Sequence, residues 1–82
     1  ALAWDIIDNI GGKENVRSVT YCITRVRFYL KDTTKAETDI ITNLNGVRDV
    51  VQAGGQYQVV VGPEAEEVYN AVMSQLGEVS SS

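Results

Sequence analysis

The sequence has no histidine, one cysteine, one proline, one tryptophan, one phenylalanine and one methionine. Without histidine, neither a Ser-His nor a Cys-His catalytic pair can be assembled within the chain. The usual zinc ligand sets are absent for the same reason, and no metal site is expected. A lone Cys22 excludes an internal disulfide and suits a reducing compartment. Long apolar runs are missing too. Val59-Val60-Val61 is typical of the longest, against the roughly 20 residues needed to cross a bilayer. No basic start precedes an apolar stretch, so no secretory signal is read. Any membrane span of the protein is expected outside this sequence. Chemistry carried by this chain must use Cys, Arg, Asp, Glu, Lys, Tyr or the backbone.

What is present points to one globular domain. Hydrophobic residues make up 44% of 82, too many for a disordered tail. A chain this short buries only about 60% of its unfolded surface, which gives a thin but workable core. The domain is expected over residues 1–78, with 79–82 a linker or frayed terminus because Ser80-Ser81-Ser82 carries no pattern. The net charge of −4 argues against nucleic acid as a partner. That charge is unevenly spread. Residues 13–31 hold Lys13, Arg17, Arg25, Arg27 and Lys31 against Glu14 alone, a balance of +4 that leaves −8 for the rest. The cysteine lies inside this basic segment, as a site receiving an anion would require. Chance segregation of surface charge produces the same pattern.

Hydrophobic periodicity predicts three helices and four strands. Leu2, Ile6, Ile7 and Ile10 form one helical stripe, stopped by Gly11-Gly12. Residues 16–22 and 25–31 read as strands, the second alternating Val26, Phe28 and Leu30 with Arg25, Arg27, Tyr29 and Lys31. Residues 34–44 read as a helix, with Thr34 and Glu37 as a capping box and Ile40, Ile41 and Leu44 as its buried stripe. Residues 47–52 and 57–61 are two more strands around a Gly54-Gly55 turn. Gly62-Pro63 opens the last helix, Ala65, Val68, Tyr69, Val72, Met73 and Leu76 line it, and Gly77 closes it. The fold expected is α+β, a two-layer sandwich in αββαββα order, with three helices on one face of a four-stranded antiparallel sheet. The other face is then open.

Tyr21-Cys22-Ile23-Thr24-Arg25-Val26-Arg27-Phe28 is the informative segment. A tight turn after the first strand brings Cys22 near Arg27 with Arg25 at the turn, and strand parity puts all three on the open face. Guanidinium groups favour a thiolate, the nucleophilic form, and pair with phosphate oxygens through a two-pronged fork. The N–H groups from Ile23 to Arg25 can form a small anion nest, and Thr24 adds a hydroxyl. The competing interpretation is a buried, inert Cys22 in a non-catalytic regulatory or interaction module whose arginines meet an acidic partner. Phosphotyrosine phosphatases also use Cys and Arg, but set them further apart than the two residues between Cys22 and Arg25.

Cys22-Ile23-Thr24-Arg25-Val26-Arg27-Phe28 resembles the Cys-x-Thr-Arg-x-Arg-Phe motif of IIB domains in the glucose/sucrose/β-glucoside phosphotransferase family. The flanks are similar as well: Gly11-Gly12-Lys13-Glu14-Asn15, Leu30-Lys31-Asp32, and the stretch from Gly54 to Gly62. The resemblance implies a phosphoryl carrier. Cys22 would accept phosphate from a histidine of a IIA domain and pass it to a sugar held by a membrane-embedded IIC domain, at the cytoplasmic face of the membrane. Arg25 and Arg27 would serve the onward transfer. Tyr21 stands where many relatives have His. The resemblance requires no cofactor, and a shallow convex site is expected because two large partners must reach the thiol.

Overall fold

A computed structural model describes the backbone of residues 1–80 and the side chains of residues 1–77. Its elements follow the expected order: α1 Leu2–Asn9, β1 Val16–Tyr21, β2 Arg25–Leu30, α2 Thr38–Thr42, β3 Asp49–Ala53, β4 Gln56–Val60 and α3 Ala65–Ser80. The strands form one antiparallel sheet in the order β1-β2-β4-β3. Each hairpin supplies one edge and one central strand, and β2 pairs with β4 across the middle. Two residues, Gly54 and Gly55, close the second hairpin, both at positive φ as a twisted two-residue turn demands.

The helices lie on the face made by the apolar set of each strand. Val19, Val26, Phe28, Leu30, Tyr57 and Val59 from the sheet meet Ala3, Ile6, Ile7, Ile10, Ile41, Val68 and Val72 from the helices. Phe28 and Tyr57 are direct cross-strand partners and both are fully buried. Tyr57 keeps its hydroxyl satisfied through Thr38 at 2.8 Å. Burial pushes the Tyr57 phenol up, partly offset by that bond. The opposite face carries Ser18, Thr20, Arg25, Arg27, Tyr29, Gln56 and Gln58 and no helix.

Asn15 ties the two layers together. Nearly fully buried, its amide nitrogen donates to the Ile10 carbonyl at 2.6 Å and the Asp32 carbonyl at 2.9 Å, while its oxygen accepts the Asp32 N–H at 2.9 Å. The end of α1 is thereby pinned to the end of β2.

Two helical expectations need correction. The helix expected over 34–44 is a 3₁₀ turn, Thr33–Lys35, followed by the five-residue α2. Asp32 caps the turn in place of the expected Thr34–Glu37 box, accepting from the Thr34 N–H at 2.9 Å and its hydroxyl at 2.5 Å. Local Asx geometry competes successfully with helix here, and Ala36 is extended. These two Thr34 bonds, with the Lys35 charge, hold the Asp32 carboxyl below its usual range. Ile40, expected in the buried stripe, is exposed, while Ile41 is buried. At the other end, α3 runs through Gly77 to Ser80, so Gly77 does not close it. Residues 81 and 82, the rest of the expected linker, lie outside the described residues.

Candidate functional site

The β1–β2 connection is short because the hairpin stays paired to its tip. The Cys22 N–H donates to the Arg25 carbonyl at 2.9 Å, leaving Ile23 and Thr24 to make the bend. The bend is anchored from the neighbouring strand. The Thr24 carbonyl accepts from the N–H groups of Val61 and Gly62 at 3.0 and 2.9 Å. Gly62 sits at φ +76°, and a Cβ there would come within 2.7 Å of the Arg48 guanidinium carbon. Only glycine lets β4 turn into α3 at this point while reaching back to the cysteine loop.

Cys22 is half-buried and is not part of the core. Its thiol is held below the ordinary range, chiefly by the Thr24 N–H. Partial burial opposes this, while the Arg25 N–H, the Arg27 charge and the Thr24 hydroxyl reinforce it. Of the expected three-residue nest, Thr24 and Arg25 therefore act on the sulfur; no contribution from Ile23 is found among the described residues. The Ile23 side chain is 85% exposed at the tip. The thiol opens toward a shallow depression lined by Tyr21, Cys22, Ile23, Pro63 and Glu66. Tyr21 belongs to the helix side of the sheet, where its ring packs on Tyr69 with centroids 4.5 Å apart.

The two arginines share a strand face but have different surroundings. Arg27 lies opposite Thr20 on one side and Gln58 on the other, and its charge acts on the thiol. Its Nε is buried without a hydrogen-bond partner among the described residues. Arg25 contributes to the thiol through its backbone N–H, while its guanidinium Nη1 donates to Gln58 Oε1 at 2.7 Å. The Arg27 charge is thus the guanidinium contribution found at the sulfur, while the Arg25 guanidinium is engaged by Gln58. Gln56 and Gln58 were not among the expected site residues. Their alternation with buried Tyr57 and Val59 placed them on the open face, beside Arg25 and Arg27.

Chemically the arrangement offers an ionisable, accessible sulfur with donors around it and a guanidinium fork nearby. No three of His, Cys, Asp and Glu converge among the described residues. No helix there is long and apolar enough to cross a membrane.

Comparison with known proteins bears on the same segment. The family model described as phosphotransferase system, EIIB, matches residues 5–37. A β-glucoside-specific EIIBCA component of Halalkalibacterium halodurans is 56% identical over 88% of this chain. The corresponding protein of Dickeya chrysanthemi is 49% identical over 89% of it. The chain spans only 11% and 12% of those two relatives. A crystal structure of one domain of a phosphotransferase-system IIabc component from Clostridium difficile superimposes with a TM-score of 0.77 at 28% identity, covering 94% of this chain and 77% of that one.

Proposed function

The chain belongs to the EIIB family of the phosphotransferase system, and on that premise we propose that Cys22 is the atom-level carrier of a phosphoryl group. The observation that carries this reading is a partly exposed thiol at a hairpin turn beside a shallow depression, biased toward thiolate by the Thr24 and Arg25 N–H groups and the Arg27 charge.

In the first step the Cys22 thiolate attacks the phosphorus of a phosphohistidine on a IIA domain. The S–P bond forms as the N–P bond breaks, and the imidazole leaves with its electron pair and takes up a proton. In the second step a hydroxyl oxygen of a sugar bound by a IIC domain attacks phosphorus. The O–P bond forms, the Cys22 thiolate departs, and the hydroxyl proton passes to a base outside this chain. Both steps put in-line geometry and charge neutralisation above covalent chemistry. The N–H groups that favour the thiolate also suit the departing sulfur, so the turn serves the nucleophile and the leaving group alike. Arg25 and Arg27 pair with the equatorial phosphoryl oxygens, and the Thr24 and Ile23 end of the loop completes the phosphate cradle. The relatives named for β-glucosides suggest that class of sugar, with this domain on the cytoplasmic face beside IIC.

The test is direct. Incubation with a phosphorylated IIA partner is expected to add one phosphate to the wild-type chain and none to Cys22→Ser, which keeps the fold. Labelling that persists in Cys22→Ser would remove this sulfur from the mechanism.

A further inference from the structure

A hydrogen-bonded chain runs across the open face of the sheet from the site to Tyr29. Arg25 Nη1 donates to Gln58 Oε1 at 2.7 Å, Gln58 Nε2 to Gln56 Oε1 at 2.7 Å, and Gln56 Nε2 to the Tyr29 hydroxyl at 2.5 Å. Strand register builds the path. Tyr29 is the direct cross-strand partner of Gln56, Gln56 and Gln58 share a face two residues apart, and Arg25 is diagonal to Gln58.

The direction of the chain is fixed by chemistry. A guanidinium only donates, so the Gln58 amide must turn its oxygen toward Arg25. Its NH₂ then points along the strand and needs an acceptor, which Gln56 supplies with its own oxygen. That leaves the Gln56 NH₂ facing Tyr29, whose hydroxyl accepts. Without the last acceptor, Gln56 loses the reason to keep its oxygen toward Gln58, and Gln58 loses the second of the two bonds that hold its side chain, so its amide can swing away from Arg25. All four side chains are half-buried, where such bonds are less contested by water than at a fully exposed surface.

We infer that Gln56 and Tyr29 are positioning residues that act through Gln58 to hold the Arg25 guanidinium in one orientation for onward phosphoryl transfer. The inference rests on the carrier role of Cys22 proposed above. Arg27 is outside this chain, so the two arginines divide the work: Arg27 supplies charge at the sulfur, and Arg25 supplies a fixed fork.

Tyr29→Phe and Gln56→Leu break the chain at successive links. Gln56→Glu is the conservative rescue, because a carboxylate at that position accepts from both Gln58 Nε2 and the Tyr29 hydroxyl and leaves the Gln58 amide as it was. The first readout is the ¹⁵N spectrum of the Arg25 guanidinium. It should show hindered rotation in the wild type and Gln56→Glu, and rotational averaging in Tyr29→Phe and Gln56→Leu. The second is transfer from phosphocysteine to a β-glucoside in membranes carrying a IIC component, expected to slow roughly tenfold in the two breaking variants and to recover in Gln56→Glu. The Cys22 titration should stay where it is in all three. Freely rotating Arg25 in the wild type, or wild-type transfer rates in both breaking variants, overturns the positioning role. A wild-type chain that forms no phosphocysteine from phosphorylated IIA overturns the carrier reading instead, while the guanidinium spectra still report whether the chain holds Arg25.

Discussion

A thiol at a hairpin turn meets two kinds of positive potential: N–H groups at hydrogen-bond distance and guanidinium charges further off. In Cys22 the backbone dominates, with the Thr24 N–H first and the Arg27 charge behind it. Backbone donors survive any side-chain substitution that keeps the turn, so no single variant should return the thiol to the ordinary value of about 8.5. Arg27→Gln removes an attraction for the charged form and should raise the titration midpoint. Thr24→Val removes only the weakest contributor and should raise it less. Arg25→Gln should move it least, because its N–H remains and its guanidinium is engaged by Gln58. Iodoacetamide alkylation rate against pH, or thiolate absorbance, gives the three midpoints. A rise in Arg25→Gln as large as that in Arg27→Gln would contradict the division between the two arginines. That Cys22 stands at a hairpin turn near Arg27 was legible in the sequence, from the motif and the strand pattern. That the two arginines differ was not, because it depends on which side chain the neighbouring strand presents to each.

At the scale of elements, the hairpins were the readable part. Alternation in β2 and β4 is strict, Gly54-Gly55 marks a turn, and the predicted strands agree with the observed ones within one or two residues. The pairing of β2 with β4 left no local trace, since it joins residues some thirty apart in sequence, such as Arg27 and Gln58. The helix expected over 34–44 failed because Asp32 and Thr34 satisfy each other first. Asn15 was noticed only as part of a similar flank, although it is the one buried polar side chain among the described residues. Asn15→Ala should be costly. It strips partners from the Asp32 N–H and from the Ile10 and Asp32 carbonyls, in bonds that are buried at Ile10 and partly buried at Asp32. Loss of such bonds is expected to cost about 2–3 kcal/mol. Urea unfolding of the variant, at unchanged m-value, measures it. A loss below about 0.5 kcal/mol, typical of an indifferent surface position, would mean that the three groups find other partners.

For the molecule as a whole, the governing demand is access. In the carrier role proposed for Cys22, the sulfur would meet a donor domain and then an acceptor domain, so it could not be enclosed by its own fold. The architecture meets this by keeping all three helices on one face and placing Cys22 at the end of the sheet, between the bare face and the rim formed by Tyr21, Pro63 and Glu66. Ile23 is the outlier of this surface, an aliphatic side chain 85% exposed beside the thiol. Its side chain is absent from the core and from the groups that act on the sulfur. A side chain so little used by its own fold, at the point where the proposed partners would approach, is expected to make contact with them. Ile23→Ser should therefore leave thermal stability and the Cys22 titration unchanged, and weaken the encounter. In phosphotransfer from IIA, KM should rise several-fold, on the order of what one buried aliphatic contact supplies, with kcat nearly constant. Serine also keeps the turn free of new charge, so a change in KM reports lost contact rather than altered electrostatics. An unchanged KM would place the docking surface on the open sheet face, and the same assay on Thr20→Leu would then be the one to respond.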